Sequence, residues 1–387
     1  MNDTLTLTDE KVLAEAHQTL AEHLDLEAEG YKCKTTDLLN ILLAVAVDQG
    51  TITSLCNDLD DAPNAETVRT YINEQLCVEE LPQLEEALNQ ALATKLPSRL
   101  WRRPQEIAID FHDRPYYGKE EQEEALWVRG RAKDGTTRFY RIATAYIMVN
   151  NLRFTLAICF VLPDRSTVDV LRYLLRHVRT LHLQVRRLFL DRGFGSVAVQ
   201  LFLEKEQTPA LIACTIRGKT GGTRALCQGR KSYRTQYTFT AGNGQKRTAD
   251  IAVCRVFTTA KRTGRLRRRA SWQLFILINL DMTLRQVRQR YRRRFGIETS
   301  YRCACQVRGW TTSPNAAYRF FLMTLGVLLV NMWVSLRWRY TQRPRRGGRW
   351  LDLRQFQLDR FAKFLLRAVQ RHYGFVRQIT ATVVPLM

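Results

Sequence analysis

The sequence predicts an α/β protein, in which a mixed sheet flanked by helices is interrupted by a β-rich insertion and follows an all-helical N-terminal domain. Three observations predict this class. Residues 1–100 carry Ala, Leu and Glu at helical spacing, short β-branched apolar segments alternate with helical patterns from residue 101 onward, and residues 217–269 are rich in Gly, Thr and basic side chains. A chain of 387 residues, of which 45% are hydrophobic, suits two or three domains and excludes a largely disordered protein.

The first hundred residues are predicted to form a compact helical domain. Thr35, Thr36 and Asp37 provide a helix start before the apolar run 38–47, and two further helices are predicted at 68–76 and 84–96. Glycine and proline separate these segments, at Gly30, Gly50, Pro63 and Pro82. The pattern itself indicates no function for this domain.

From residue 101 the pattern changes to strands and crossover helices. Three strands come first, at 106–111, 138–149 and 152–162, and Asn150 and Asn151 predict a turn between the last two. A helix, a strand, a second helix and a final strand follow, at 166–183, 187–190, 196–206 and 210–216. The order β-β-β-α-β-α-β predicts parallel strand pairs where helices connect the strands.

A β-rich, basic insertion is predicted next, and the core resumes with a strand at 271–280 and helices at 285–308 and 315–336. The apolar segment 320–336 favours a buried core helix over a membrane span, because it has only 17 residues and arginines flank both ends. A helix at 353–369 lies in the basic C-terminal tail. The predicted divisions are 1–100 (helical), 101–216 (first part of the core), 217–270 (insertion), 271–340 (second part of the core) and 341–387 (tail).

Charge is unevenly distributed along the chain. The net charge of +23 combines −13 on residues 1–100 with +36 on residues 101–387. A field this positive favours nucleic acid as the partner, with a ribosomal-type basic protein as the alternative. Nine scattered cysteines match no disulfide or zinc pattern, and the N-terminus resembles no signal peptide. We therefore expect a cytoplasmic protein that does not enter membranes.

Three carboxylates stand out as candidate ligands of a metal. Asp191 follows the buried strand 187–190, and Glu298 is the single acidic residue among fifteen arginines between positions 282 and 349. Asp110 follows the apolar residues of the first strand, with Asp113, in a predicted turn before Pro115, as its competitor. Position alone leaves open whether Asp191 is a ligand or a helix cap.

Carboxylates on separate elements of a basic protein indicate phosphoryl chemistry with divalent ions. Hard oxygen ligands suit Mg²⁺ or Mn²⁺, and two such ions about 4 Å apart activate a nucleophile and stabilise the leaving oxygen. On a continuous helix Tyr291, Arg294, Glu298 and Arg302 share one face. Arginines beside Glu298 are predicted to position DNA phosphates, namely Arg292, Arg293, Arg294, Arg302 and Arg308.

Three segments carry a resemblance to a known family: IAIDFHDRPYYG around Asp110, LFLDRGFG around Asp191 and YRRRFGIE ending at Glu298. In this order they resemble the bacterial and archaeal insertion-sequence DDE transposases with the Y-x2-R-x3-E signature, over roughly residues 100–340. The resemblance implies an RNase H-like core, with Asp110, Asp191 and Glu298 as catalytic metal ligands. It further implies that Tyr291 and Arg294 contact the transposon end and that a homodimer holds paired ends.

Two details accompany the resemblance. The family signature usually continues with Lys seven residues after the Glu, where this chain has Cys305, and Arg302 or Arg308 is the candidate to replace that lysine. Trp127 and Trp310 are candidates for stacking on a displaced base, although burial in the core is the favoured expectation for both.

The predicted function is that of a DNA transposase, which cuts at the terminal inverted repeats of its own element and joins the freed 3′-hydroxyls to target DNA with two Mg²⁺ ions. Mn²⁺ is an alternative ion. The rival functions are a non-catalytic DNA-binding protein derived from a transposase, a metal-dependent nuclease that does not join strands, and a membrane protein that uses 320–336 as its span.

Overall fold

A computed structural model of the protein describes residues 5–118, 126–149, 152–262, 265–346 and 348–378. The chain forms two compact units. One, here the helical unit, combines Met1–Pro97 with Ser300–Met387, and the other comprises Ser98–Thr299 and is called the catalytic unit because it contains the three predicted catalytic carboxylates. The helical unit is therefore discontinuous in sequence.

The N-terminal part of the helical unit centres on one apolar helix. Thr35–Asp48 buries ten consecutive residues, 38–47, so that every side of this helix is covered. The helices predicted around 38–47, 68–76 and 84–96 are confirmed. The elements of this part are α1 (Asp9–Ala21), β1 (Glu29–Gly30), β2 (Cys33–Lys34), α2 (Thr35–Asp48), α3 (Ile52–Asp58), α4 (Ala65–Gln75) and α5 (Leu81–Thr94).

The catalytic unit begins with the predicted series of strands and helices, to which the structure adds one strand. The extra strand, β4, was missed because most of its residues are exposed and polar, so it has no apolar pattern. The turn predicted at Asn150 and Asn151 lies outside the described residues. The elements are β3 (Gln105–Pro115), β4 (Val128–Lys133), β5 (Thr136–Val149), β6 (Leu152–Val161), α6 (Thr167–Thr180), β7 (Val185–Leu190), α7 (Val197–Lys205) and β8 (Ala210–Cys214).

These strands form the mixed sheet that the sequence predicts. Neighbouring strands run in the order β6-β5-β3-β7-β8, in which β3 pairs antiparallel with β5 and parallel with β7, and β7 pairs parallel with β8. The first strand of the series thus lies at the centre, between the second and the fourth. This is the RNase H-like arrangement, and it confirms the predicted fold class.

The strands of the insertion continue the same sheet. They are β9 (Tyr233–Thr240), β10 (Lys246–Arg262) and β11 (Arg265–Ile278). β11 pairs antiparallel with β8, β10 with β11, and β9 with β10, so the sheet has nine strands in the described chain. The insertion and the core therefore form one continuous hydrogen-bonded sheet.

The predicted long helix 285–308 is wrong as a single element. The structure has α8 (Leu284–Arg292), a 3-10 turn at Arg293–Phe295, and α9 (Gly296–Cys305). The 3-10 turn changes the rotation per residue, so Tyr291 and Glu298 do not share the face that a continuous helix would give them. Accordingly Tyr291 and Arg294 are buried while Glu298 is exposed.

The C-terminal part of the chain returns to the helical unit. It contains α10 (Ala316–Tyr340), β12 (Gln342–Arg345), β13 (Gly348–Leu351) and α11 (Leu358–Tyr373). Within the described chain α10 is long and apolar enough for a membrane span by composition, but 83% of its most apolar window is buried inside the protein, as expected of a core helix.

Complementary charge joins the two ends of the chain within the helical unit. α11 packs against α1 and α2, Arg371 forms ion pairs with Asp9 (2.6 Å) and Glu10 (2.9 Å), and the Tyr373 hydroxyl donates to Asp37 (2.6 Å). Residues 1–97 have a net charge of −14 and residues 300–387 of +13, which leaves the helical unit at −1 and the catalytic unit at +24. The acidic N-terminal charge is thus neutralised inside its own unit, and the catalytic unit carries the positive field.

Candidate active site

The site begins with two aspartates on neighbouring parallel strands. Ile109 of β3 is in register with Leu190 of β7, and each is followed directly by an aspartate, Asp110 and Asp191. Because parallel strands in register present their next residues at the same level of the sheet, the two carboxylates lie near each other. Both line one cleft of about 580 Å³ in the catalytic unit.

Asp110 is largely buried, with 17% of its side chain exposed. Its Oδ1 lies 2.7 Å from Nη2 of Arg294 and accepts the Phe111 backbone N–H at 3.1 Å. Burial raises the pKa of Asp110 to about 6, against the lowering effect of Arg294, while the nearby charges of Asp191 and Glu298 raise the pKa further. A carboxyl with such a pKa is mostly ionised at neutral pH. Because it is buried, its negative charge is stabilised by nearby positive charge.

Asp191 caps a short turn that precedes the next helix, whose own cap is Ser196, and its role as a metal ligand stays a prediction. As the cap of a 3-10 turn, Arg192–Phe194, its Oδ1 accepts the Gly193 backbone N–H at 2.8 Å, and the carboxylate also faces the cleft. A Cβ at position 193 would lie 3.0 Å from Oδ1 of Asp191. Glycine at this position therefore leaves room around the carboxylate.

The competing Asp113 lies on a strand, so its predicted placement in a turn is wrong: β3 continues to Pro115 because its partner β5 extends equally far. Asp113 lines the same cleft, but both oxygens of its carboxylate accept from one edge of the Arg141 guanidinium, with Nε–Oδ1 at 2.6 Å and Nη2–Oδ2 at 2.9 Å. Two-point pairing of this kind occupies both oxygens. Asp110 and Asp191 are therefore the carboxylates better suited to receive a metal.

The end of α8 is fixed against the two aspartate strands. The Tyr291 hydroxyl donates to the Leu190 backbone oxygen at 3.1 Å, and the Tyr146 hydroxyl donates to the Arg294 backbone oxygen at 3.0 Å. Burial raises the pKa of Tyr291 to about 12, so the hydroxyl stays protonated and remains a donor. Tyr291 thus braces the residue that precedes Asp191, and Arg294 reaches Asp110.

Glu298, the third predicted ligand, lies in the first turn of α9 and is exposed. It is near enough to raise the pKa of Asp110, but it does not line the cleft. Within the described part of the chain, no three His, Cys, Asp or Glu side chains are grouped closely enough to hold a metal ion. Asp110 and Asp191 offer the oxygen donors that a hard divalent ion prefers, and Glu298 stands apart from them.

A second buried carboxylate, Glu106, was missed by the sequence analysis. Only 11% of its side chain is exposed, and it pairs with Arg187 of β7 at 2.7 Å and with Arg290 of α8 at 3.4 Å, while Arg293 lies 3.9 Å away. Glu106 therefore ties the arginine-rich helix to the central strand that carries Asp110. The signal in the sequence was an acidic residue at the start of an apolar strand in a chain with few carboxylates and many arginines.

The remaining predicted DNA-binding residues fall in different places. Arg292 is exposed on α8, whereas Arg302, Arg308 and Cys305 belong to the helical unit, where Arg302 is exposed and Arg308 is buried. Burial is confirmed for Trp127. For Trp310 it is wrong, because 54% of this residue is exposed, with the Arg308 guanidinium 4.7 Å from its ring centre.

The raised pKa of Asp110 makes the stability of the protein depend on pH, and this dependence is measurable without metal. Its folded-state pKa, about 6, lies above its ordinary value of 3.8, so the protonated carboxyl stabilises the fold below pH 3.8 and this contribution is lost as pH rises through 6. We expect the free energy of unfolding of wild type to fall, relative to that of Asp110→Asn, by roughly 2 to 3 kcal/mol between pH 4 and pH 8. Urea unfolding in EDTA at stepped pH measures this difference, and parallel pH profiles of the two proteins would contradict it.

Comparison with known proteins identifies the family of the chain. The model of a family described as the transposase DDE domain matches residues 101–332, more than half of the chain, whereas no curated protein matches the sequence significantly. A solved structure with a similar fold is a piggyBac transposase in a synaptic complex with hairpin DNA, determined by cryo-EM, with a TM-score of 0.55, 10% identity, and coverage of 94% of this chain and 78% of that one. The chain belongs to the DDE-domain transposases, enzymes that cut DNA and transfer the cut strands with the help of divalent metal ions.

Proposed function

We propose that Asp110, Asp191 and Glu298 are the catalytic carboxylates of this transposase and that they hold two Mg²⁺ ions, for which Mn²⁺ can substitute. The observation that carries the proposal is the position of Asp110 and Asp191 at one level of adjacent parallel strands, facing one cleft. In α/β proteins, ligand-binding sites form at the carboxyl ends of the parallel strands. Oxygen donors at such a site select hard divalent ions.

Glu298 is proposed as the ligand that completes the site when metal and DNA bind. It is exposed in the first turn of a separate helix, α9, that follows a 3-10 turn, and its charge already acts on Asp110. The proposal therefore includes an approach of Glu298 toward the two aspartates, driven by the attraction of all three carboxylates to the same cations.

Different residues of the chain have separate roles in strand cleavage and joining. Bound divalent ions supply positive charge for the attacking and leaving oxygens of the phosphoryl transfer. Arg294 keeps the buried Asp110 ionised, and Arg129 and Arg165 line the cleft and are suited to orient the DNA phosphates. Tyr291 holds the strand end that carries Asp191, so the carboxylate stays in place as the phosphate geometry changes.

The proposed substrates are the terminal inverted repeats of the element that encodes the chain and a target DNA, handled by a homodimer on paired ends in the cytoplasm. The catalytic unit supports this with a net charge of +24, which attracts DNA in a salt-dependent manner. The cation requirement follows from hard oxygen ligands, and we expect EDTA to stop the reaction and Mg²⁺ or Mn²⁺ to restore it.

The test uses the full-length protein with DNA that carries the ends of its element and a separate target. Wild type is expected to release the ends and join them to the target in Mg²⁺, while Asp191→Asn binds the same DNA without cutting it. Cleavage without joined product would identify a nuclease instead, and equal activity of Asp191→Asn would refute the assigned site. Light scattering of the protein–DNA complex reports whether two protomers are bound.

A further inference from the structure

The arginines of α8 and of the 3-10 turn after it differ in their surroundings. Those that face the sheet are paired, Arg290 with Glu106 at 3.4 Å and Arg294 with Asp110 at 2.7 Å. Three others, spaced at +3 and +4, share the opposite side of the helix, and no ion pair is described for them in the part of the chain that the structure covers. We call these the outer arginine row: Arg285, Arg288 and Arg292.

The outer arginine row lines a pocket of its own. With Leu284, Gln289 and Ser232 it encloses about 270 Å³, and none of these residues lines the cleft that contains Asp110 and Asp191. Arg285 and Arg292 are exposed and Arg288 is half-buried. The pocket is therefore a second positive site in the catalytic unit, next to the proposed active site in sequence but built from different residues.

The local structure holds this site rigidly. The Thr283 side chain accepts the Gln286 N–H, and the Gln286 side chain accepts the Thr283 N–H, which fixes the start of α8. Val287 and Tyr291 bury the inner side of the helix. Across the pocket, Oγ of Ser232 accepts the Arg255 backbone N–H at 2.9 Å, so the loop before β9 is also anchored.

We propose that the outer arginine row and Ser232 form a binding site for the phosphodiester backbone of duplex DNA, separate from the catalytic carboxylates. Arg285 and Arg292 are seven residues apart, about 10 Å along a helix axis, which matches roughly three base-pair steps of 3.4 Å. Guanidinium groups fit phosphate oxygens in a fixed geometry, and none of the described residues that line the pocket is an aromatic that could stack on bases. The site contacts backbone without reading sequence.

This inference rests on the proposed function only in taking DNA as the substrate. The experiment measures binding of a fluorescent 30-base-pair duplex of mixed sequence by anisotropy, in EDTA, across a range of KCl concentrations. Loss of two phosphate contacts in Arg285→Gln/Arg288→Gln is expected to flatten the slope of log affinity against log salt by about 1.8, and to weaken binding roughly 10- to 100-fold at 0.1 M salt.

A matched control removes the same charge elsewhere in the catalytic unit. Arg176 on α6 and Arg186 on β7 are also exposed, and Arg176→Gln/Arg186→Gln is expected to keep nearly the wild-type slope. Equal losses in both variants would show that only total charge matters and would overturn the proposal, as would a wild-type slope in Arg285→Gln/Arg288→Gln. Arg285→Lys/Arg288→Lys should recover most of the slope, which separates lost charge from a folding defect. Because the measurement needs no metal, failure of DNA cleavage would refute the catalytic assignment and leave this test intact.

Discussion

Asp110→Asn is expected to abolish DNA cleavage and strand joining, by about 10³-fold or more, while the protein still binds DNA. The substitution removes a charged oxygen donor at the end of the central strand pair, and we expect that Asp191 and Glu298 cannot hold two divalent ions without it. The remaining amide keeps the shape of the side chain, so the loss reports on charge and metal binding. Single-turnover cleavage in Mg²⁺, with anisotropy of the same DNA, measures both effects.

The matched control lies three residues further along the same strand. Asp113→Asn weakens a partly exposed ion pair with Arg141 and should lower the free energy of unfolding by about 1 kcal/mol, with cleavage within a few-fold of wild type. A similar loss of cleavage in both variants would count against the choice of Asp110 over Asp113. A loss confined to Asp113→Asn would reverse that choice.

Arg294→Met is expected to destabilise the protein by roughly 3 to 5 kcal/mol, because it leaves the buried Asp110 without its cation. The pKa of Asp110, already about 6, should rise further, so the variant is predicted to need a higher pH to ionise this carboxyl and to bind metal. Urea unfolding measures the stability, and the pH profile of any residual cleavage should move upward.

Two comparisons make this prediction specific. Arg293→Met, one residue earlier, removes a side chain that is 60% exposed and 3.9 Å from Glu106, and should cost at most about 0.5 kcal/mol. Asp110→Asn/Arg294→Met should be more stable than Arg294→Met alone, because no unpaired charge remains buried. Additive losses in the double variant would show that the two side chains do not depend on each other.

The sequence predicted those parts of the fold that follow from local pattern. The short apolar runs at 106–111 and 187–190 identified the strand that carries Asp110 and the strand that precedes Asp191, because burial on both faces requires apolar residues in a central sheet. The mixed sheet and most helices followed from the same periodicity. At the site, the candidate residues were named from position and resemblance, and their roles stay predictions until the variants are measured.

The remaining features depend on contacts between distant segments. The run of arginines continues unchanged through the 3-10 turn at Arg293–Phe295, so no local signal separated buried Arg294 from exposed Glu298. Glu106 looked like an ordinary polar residue at a strand start until α8 packed beside it. The insertion joins the core sheet through the pairing of β8 with β11. These two strands are separated in sequence by the 50 residues 215–264, which include β9 and β10.

The discontinuous helical unit has a consequence for how the protein is made. α2 is complete at residue 48, but α11, which covers it, begins at residue 358. At a synthesis rate of about 5 to 20 residues per second, the ribosome needs roughly 15 to 60 seconds to produce the chain between them. During that interval the whole catalytic unit leaves the ribosome and can fold. The apolar surface of α1 and α2 that α11 covers in the finished protein stays exposed over the same period. The nascent chain therefore acquires its DNA-cutting unit before the helical unit can close.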